Sequence, residues 1–203
     1  MSKTVYIRGL PRSGTNLLEY VLKENFDVNI KSASKHGIIP VPDEPEIRLA
    51  FITKHPVDWI LSLYAYGVER PDIYVSNYKW PEFVKRPLVM ITGPRGMWFR
   101  SPVDVWNCYH NHYRTWKNAV HIMHRSFTVN TLAMLQKLWA LKVKQSPLIW
   151  PPYSMNTNAT PTGQVYKPRK RQGMWNDGLI KWVMDRVNME LFRKLGYHKQ
   201  DRP

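Results

Sequence analysis

The sequence predicts one α/β domain over residues 1–203, with a central parallel β-sheet flanked by helices. Short runs of β-branched and apolar residues alternate along the chain with longer segments whose apolar residues recur at the spacing of one helix face. The first strand also passes through a glycine-framed loop directly into a helix, as one half of a βαβ unit does. A chain of 203 residues is long enough to bury a hydrophobic core within a single domain.

The first strand is predicted at Thr4–Arg8, a short β-branched run. The next helix is indicated by an apolar stripe of Leu17, Leu18, Val21 and Leu22. Between them lies the loop Gly9-Leu-Pro-Arg-Ser-Gly14-Thr15-Asn16. A strand that turns through such a loop into a helix directs several backbone N–H groups and the positive end of the helix dipole at one point. We therefore expect an anion cradle that suits a phosphate or a sulfate.

The spacing of the two glycines, G-x-x-x-x-G, matches the phosphate-binding loop of nucleotide-binding proteins, but Thr15 stands where that motif has lysine. Arg12, inside the loop, supplies the cation instead. In kinases and ATPases the lysine and the hydroxyl residue after it hold the terminal phosphates and Mg²⁺, so their replacement favours a phosphate ligand bound without a metal. The alternative is a Gly/Pro/Ser turn that only joins a strand to a helix.

The second strand, predicted at Val28–Ser32, runs out into Ser34-Lys35-His36-Gly37. These residues would lie at the carboxyl end of the sheet, where open α/β folds bind ligands. A third, clearly buried strand is predicted at Leu49–Thr53, and Pro56 suits the first position of the helix that follows. The apolar stripe of that helix consists of Val57, Ile60, Leu61 and Tyr64. Ser62 lies off the stripe, so packing does not explain it.

Residues 67–100 are irregular and rich in Pro, Tyr and Trp, with a short helix predicted at Trp80–Lys85 and a strand at Leu88–Thr92. The aromatic residues of this insertion include Tyr74, Tyr78, Trp80, Trp98 and Phe99. They are suited to form the wall of a pocket for a substrate that accepts a transferred group, or to stack on single-stranded nucleic acid. Such residues are more often simply packed in the core.

The next helix begins with a capping Ser101, Pro102 at the first position and Asp104 three residues after the cap. Its aromatic stripe consists of Trp106, Tyr109, Tyr113 and Trp116, a pattern that more often forms core than a binding site. His110 and His112 fall on different faces of this helix, so we do not expect them to share a metal.

A further strand is predicted at Ala119–Met123, and Asn130 is predicted to cap the helix after it. The inner side of that helix is predicted to carry Leu132, Leu135, Leu138, Trp139 and Lys142. Lys167-Pro168-Arg169-Lys170-Arg171 then places four cations within five residues, which usually marks a solvated or nucleic-acid-binding patch. One final amphipathic helix is predicted from Leu179, Trp182, Val183, Val187, Glu190 and Leu191. It ends at Leu195-Gly196-Tyr197, with glycine at the C-cap.

The charge balance favours anionic partners, because 30 Lys and Arg against 15 Asp and Glu give a net charge of +15. A nucleotide with several phosphates and a nucleic acid both qualify. The single cysteine, Cys108, cannot form an internal disulfide, which fits either a reducing compartment or a protein that is indifferent to redox conditions. Neither a signal segment nor an apolar run of membrane-spanning length is visible, so we expect a cytoplasmic protein without a membrane span.

Several elements are similar, in order along the chain, to those of the sulfotransferases that use 3′-phosphoadenosine 5′-phosphosulfate (PAPS). The sequence P-R-S-G-T-N after the first strand resembles their 5′-phosphosulfate loop. Lys54-x-Pro56-x-Asp58 with Ser62-x-Tyr64 is similar to the R-x-P-x-D…S-x-Y element that binds the 3′-phosphate. Lys54 stands where arginine is usual, which keeps the charge but loses the bidentate fork.

The C-terminal half continues the resemblance. The helix that starts at Ser101-Pro102 resembles the family's S/N-P-x-x-x-W helix. Arg169-Lys170-Arg171-Gln-Gly173-x-Trp175 is similar to the C-terminal nucleotide loop R-K-G-x-x-G-x-W, although it is one residue shorter and Arg171 replaces the first glycine. The agreement of these elements in their order along the chain supports the resemblance more strongly than any single loop does.

This resemblance implies a P-loop NTPase-like sulfotransferase fold, and transfer of the sulfuryl group from PAPS to a hydroxyl or amine of a small-molecule, glycan or peptide acceptor, with no metal. The residues implied to bind PAPS are Arg12, Ser13, Gly14, Thr15, Asn16, Lys54, Ser62, Arg169, Lys170, Arg171 and Gly173. Arg12 is also implied to act in catalysis. His36 is the candidate general base, although Ser34-Lys35-His36 with Pro40 only approximates the family's K-x-H-x-P.

Two other functions stay open. A P-loop nucleotide kinase would need a metal-binding acid at a strand end, and none of the predicted strands ends in Asp. A basic nucleic-acid-binding module would explain the charge but not three phosphate-suited elements in family order, so nucleic acid is not the partner we expect.

Overall fold

The computed structural model describes residues 3–69, 78–91, 96–116, 119–127, 129–144, 147–149 and 174–198. The strands are β1 (Lys3–Arg8), β2 (Val28–Lys31), β3 (Ile47–Thr53), β4 (Leu88–Ile91), β5 (Gly96–Phe99) and β6 (Ala119–Met123). The helices are α1 (Thr15–Asn25), α2 (Pro56–Glu69), α3 (Trp80–Lys85), α4 (Pro102–Arg114), α5 (Val129–Trp139), α6 (Asp177–Met184) and α7 (Met189–Lys194), with a 3₁₀ turn at His124–Ser126. In the described part of the chain, no helix combines the length and hydropathy needed to cross a membrane.

The central sheet has four parallel strands in the order β2-β1-β3-β6, which confirms the predicted architecture. The chain leaves β1 for β2 on one side and then returns to β3 on the other side. The position between β1 and β3 is therefore a topological switch point, where open α/β sheets leave a crevice at the carboxyl ends of their strands.

Helices cover both faces of this sheet because side chains alternate along each strand. Leu49 and Phe51 of β3 pack into one core with α2, α4, α6 and α7. Ala50 and Ile52 pack into a second core with α1 and α5. The alternation along a single strand thus links two separate hydrophobic layers.

Helix α4 starts as the sequence predicts. Ser101 is its N-cap and accepts a hydrogen bond from the Asp104 backbone N–H at 3.3 Å, with Pro102 at the first position. Its side chains Trp106, Tyr109 and Tyr113 are fully buried, so the aromatic stripe is core. Trp116, at the end of the same stripe, is only partly buried.

The insertion between α2 and α4 contains an antiparallel hairpin that the sequence analysis missed in part. Strand β4 was predicted, but its partner β5 was not, because its four residues form no recognisable periodic pattern. Of the aromatic residues predicted to wall a pocket, Trp80 and Phe99 are buried while Tyr78 and Trp98 are exposed. Tyr74 lies outside the described residues.

Three predictions about α5 and the helices after it were wrong. Asn130 does not cap α5, because the helix already begins at Val129, and Leu138 is 61% exposed rather than on the inner side. The predicted final helix is two helices, since the Asn188 side chain accepts from the Leu191 N–H at 3.0 Å and starts α7 anew. Gly196 ends α7 with φ +80°, close to the predicted position.

Candidate functional site

The loop that is predicted to act as an anion cradle lies at the carboxyl end of β1. Arg12 and Gly14 both adopt left-handed backbone conformations, with φ 69° and 101°, and these bend the loop into α1. Ser13 closes the bend, because its N–H and its hydroxyl both donate to the Leu10 carbonyl, at 3.0 and 2.6 Å. Gly14 is the N-cap of α1 and provides no side-chain cap, so the first N–H groups of the helix keep their donor character.

Glycine is required at position 14 for a second reason. A Cβ there would lie 2.6 Å from Cδ2 of His124, closer than packed atoms approach. The loop is also held from the α2 side, where the Trp59 indole N–H donates to the Pro11 carbonyl at 2.8 Å and the Arg12 guanidinium lies 4.8 Å from the Tyr66 ring centroid. The cradle is therefore packed into the domain on both sides.

The other predicted cradle residues are held in place by neighbouring contacts. Thr15 is buried at the start of α1. The Asn16 side-chain oxygen accepts from the Lys35 ammonium at 2.5 Å, and the same ammonium donates to Glu19 at 3.1 Å. Lys35 thereby joins the segment after β2 to the helix of the cradle.

Lys54 and Ser62, predicted to share one phosphate, are in contact. Lys54 follows β3, and its ammonium donates to the Ser62 hydroxyl on α2 at 2.7 Å. The Trp106 indole N–H fixes the Lys54 carbonyl at 3.0 Å. Asp58, on the first turn of α2, is close to this pair: burial raises its pKa, and the charge of Lys54 opposes that rise.

His124 joins the site from β6, which sequence reasoning missed. Strand β6 pairs with β3, placing Met123 opposite Thr53, so His124 and Lys54 leave the sheet side by side. Burial, with a smaller effect of the Lys54 charge, lowers the pKa of His124 to about 4, and the ring is neutral at pH 7. The signal that could have found it is a predicted strand ending directly in His-Arg, the criterion applied to His36.

His36 approaches the cradle from the other side. It follows β2, which pairs with β1, and its Nδ1 donates to the Gly9 carbonyl at 2.7 Å. Burial lowers the pKa of His36 to about 4, the Gly9 contact opposes this effect, and the nearby Lys35 charge adds to it. The ring is therefore neutral at pH 7, and the Nδ1 contact leaves the lone pair on Nε2.

Two tyrosines of α4 order the segment that carries His36. The Tyr109 hydroxyl accepts from the Gly9 N–H and donates to the Lys35 carbonyl, both at 2.9 Å. The Tyr113 hydroxyl donates to the Gly37 carbonyl and accepts from the Ile39 N–H at 3.0 Å. The aromatic stripe of α4 thus also supplies the bonds that fix the candidate base, and two tyrosines one helical turn apart were its sequence signal.

Four of the residues predicted to bind PAPS lie outside the described residues: Arg169, Lys170, Arg171 and Gly173. The chain is described again from Met174, whose carbonyl accepts from the Trp80 indole N–H. Trp175 packs edge-on against the Trp80 ring, with centroids 4.7 Å apart.

Other potential sites in the described residues are separate from the cradle. Within those ranges, no group of three His, Cys, Asp or Glu side chains is arranged to hold a metal. A cavity of about 300 Å³ lies between β6, α5 and the end of α7, lined by residues that include His121, Thr131 and Lys194. It involves none of the predicted site residues.

Comparisons of the chain with protein-family models, with curated proteins and with solved structures find no match. The geometry at the carboxyl ends of β1, β3 and β6 is therefore the basis on which a function is assigned.

Proposed function

We propose that this chain is a PAPS-dependent sulfotransferase with a P-loop NTPase-like fold, which transfers the sulfuryl group of PAPS to a hydroxyl or amine of an acceptor. The observation that carries this proposal is the contact between Lys54 and Ser62, 2.7 Å long, at the strand end next to the anion cradle. The loop after β1 and the Lys54–Ser62 pair after the adjacent strand β3 would form two phosphate-binding sites, which suit a nucleotide that is phosphorylated at both the 5′ and the 3′ positions.

The residues present fit such a nucleotide. The open N-terminus of α1 and the Arg12 guanidinium would hold the 5′-phosphosulfate. Lys54 would hold the 3′-phosphate together with Ser62, whose oxygen already accepts from Lys54, so its own O–H can donate to a phosphate oxygen. A site prepared in this way loses little entropy when the ligand binds.

PAPS supplies an activated sulfuryl group when it is bound. During transfer, negative charge would grow on the leaving phosphate, and the N–H groups of the cradle and Arg12 would stabilise it. Nε2 of His36 carries the lone pair and would accept the proton of the acceptor. Burial lowers the pKa of His36 to about 4, so its ring is in the neutral form that a general base requires at pH 7.

The described sheet offers less to a nucleotide kinase. Its four strands are followed by Gly9, Ser32, Lys54 and His124, so none of these described strand ends presents the carboxylate that would bind the metal of a kinase.

Thermal denaturation with different nucleotides tests the proposal. At about 100 times its dissociation constant, a ligand adds about 2.7 kcal/mol of stability, and each kcal/mol raises Tm by about 2–4 °C for a chain of this size. We expect 3′,5′-ADP to raise Tm by several degrees without Mg²⁺ and 5′-ADP to do much less. Labelled sulfate transferred from PAPS to a panel of alcohols, phenols and amines then tests the reaction itself.

The alternatives give different results in the same assay. A kinase would respond best to ATP with Mg²⁺. A nucleic-acid-binding module would show little preference among mononucleotides and a steep salt dependence with oligonucleotides. Equal shifts with 3′,5′-ADP and 5′-ADP would refute the sulfotransferase assignment.

A further inference from the structure

Arg8, the last residue of β1, is a buried cation: its relative exposure is 2%. Alternation along the strand places Arg8 and Tyr6 on the α4 side of the sheet, opposite the side where Val5 and Ile7 pack. Nη1 donates to the Ile7 carbonyl at 3.0 Å and to the Ala33 carbonyl at 3.5 Å, and the guanidinium lies 5.4 Å from the Tyr6 ring centroid. All of these partners are neutral.

No carboxylate of the described residues forms an ion pair with Arg8. Its Nε is buried and has no hydrogen-bond partner within the same part of the chain. The Arg8 charge acts on Tyr109 and Tyr113: burial raises both pKa values and the Arg8 charge partly lowers them, so both hydroxyls stay neutral. A hydrogen bond from Arg8 to the Tyr113 hydroxyl also lowers the pKa of Tyr113. Buried charges are normally paired, because an unpaired one is strongly destabilising.

A purely structural role does not account for this cost. Arg8 contacts the segment after β2 through the long bond to Ala33, and it reaches the same segment indirectly through its hydrogen bond to Tyr113. The same segment is already fixed by shorter bonds from Tyr109 and Tyr113. A neutral side chain of similar length would fill the same space without the desolvation penalty.

The position of Arg8 indicates what the charge is for. Arg8 immediately precedes Gly9, whose carbonyl orients His36, and Ala33 belongs to the segment that carries His36. We propose that Arg8 binds an oxyanion of the acceptor, a carboxylate, sulfate or phosphate group, so that the enzyme acts on anionic acceptors. This inference rests on the proposed function, which makes His36 the group that the acceptor meets.

Binding exchanges one contact for stronger ones. The oxyanion displaces the Ala33 carbonyl, the longest bond of the guanidinium, and takes two N–H groups of Arg8, including the unpartnered Nε. A guanidinium offers this fork geometry to planar or tetrahedral oxyanions, and both bonds are charge-assisted. Because Arg8 is nearly inaccessible, the segment around Ala33 moves when the oxyanion enters.

The test measures Tm with 3′,5′-ADP at saturation, so that the nucleotide site is filled. Sodium acetate or sulfate then replaces chloride at constant ionic strength, for the wild type, Arg8→Gln, Arg8→Lys and the control Arg48→Gln. Arg48 also donates to backbone carbonyls, of Pro45 and Ile47, but lies away from the His36 segment along β3.

We expect the oxyanions to raise Tm of the wild type and of Arg48→Gln by several degrees more than chloride does. Arg8→Gln should be at least as stable as the wild type in chloride and should lose the extra shift. Arg8→Lys should keep part of it, because the charge remains and the fork does not.

Three results would overturn the inference: no extra shift in the wild type, an unchanged shift in Arg8→Gln, or an Arg8→Gln protein that is strongly destabilised or unfolded in chloride. The failure of the proposed function is seen separately, in the step before oxyanion is added. If 3′,5′-ADP does not stabilise the wild type, the sulfotransferase assignment fails and the acceptor inference with it. If 3′,5′-ADP stabilises and the oxyanions add nothing, only the role of Arg8 fails.

Discussion

Replacing Lys54 by Met and Ser62 by Ala tests the paired phosphate site most directly. The Lys54 ammonium and the Ser62 hydroxyl are 2.7 Å apart, at the end of β3 and on α2. The Lys54 backbone is held independently by the Trp106 indole, so a methionine should leave the strand end in place. Both substitutions therefore probe the ligand contacts more than the fold.

The magnitudes follow from the bonds that each side chain would make. A hydrogen bond to a charged group contributes about 1.5–3 kcal/mol, so Lys54→Met should weaken binding of 3′,5′-ADP by about 10- to 150-fold. Ser62→Ala removes one weaker bond, of about 0.5–1.5 kcal/mol, and should weaken binding by about 2- to 10-fold. Since the two side chains are in contact, the double variant should lose less than the product of the single effects. Binding of 5′-ADP, which lacks the 3′-phosphate, should change little.

Isothermal titration calorimetry of each variant with 3′,5′-ADP and with 5′-ADP gives the ratio of the variant and wild-type dissociation constants for each nucleotide. Lys181→Ala is the matched control, because it removes the same charge from the exposed pair with Asp185 on α6. It reports how much of any loss comes only from lowering the net charge of +15. Equal losses for the two nucleotides, or a control that behaves like Lys54→Met, would refute the assignment of this pair to a 3′-phosphate.

Three further predictions concern the cradle and its histidines. Gly14→Ala should lower the free energy of unfolding by about 2 kcal/mol or more in urea titrations and abolish 3′,5′-ADP binding, because φ is 101° and a Cβ would strike His124. Binding at wild-type strength would show that the cradle is not the nucleotide site. His36→Ala should lower turnover by about 10² to 10⁴ while nucleotide binding persists, and wild-type turnover would remove His36 from the mechanism. Burial lowers the pKa of His36, His121 and His124 in the folded chain from 6.5 to about 4, so the unfolded chain takes up protons first as the pH falls. The contribution of these histidines to stability should therefore be complete above pH 6.5 and lost as the pH falls toward 4. Urea midpoints that do not change over this range would contradict the burial of the three rings.

The local elements were predictable because their signals act over a few residues. The alternation and apolar runs of β1, β3 and β6 gave strands whose observed ends differ by two residues or fewer from the predicted ones. The capping of α4 by Ser101 and the glycine at the end of α7 are contacts between near neighbours in sequence. The same locality explains the errors, since the break before α7 depends on a single Asn188 bond that competes with an unbroken helical pattern.

The sequence by itself indicated the residues of the loop between β1 and α1, because they follow from one strand-loop-helix turn. It indicated the pairing of Lys54 with Ser62 through the resemblance to the sulfotransferases. Only the tertiary structure placed His124 against Gly14 and joined the Tyr109 hydroxyl to Gly9, a residue 100 positions earlier in the chain. It also revealed that Arg8 is buried without a carboxylate among the described residues. These contacts depend on strand order and on which faces of the helices pack against the sheet, and both are decided by the burial of side chains that are far apart in sequence.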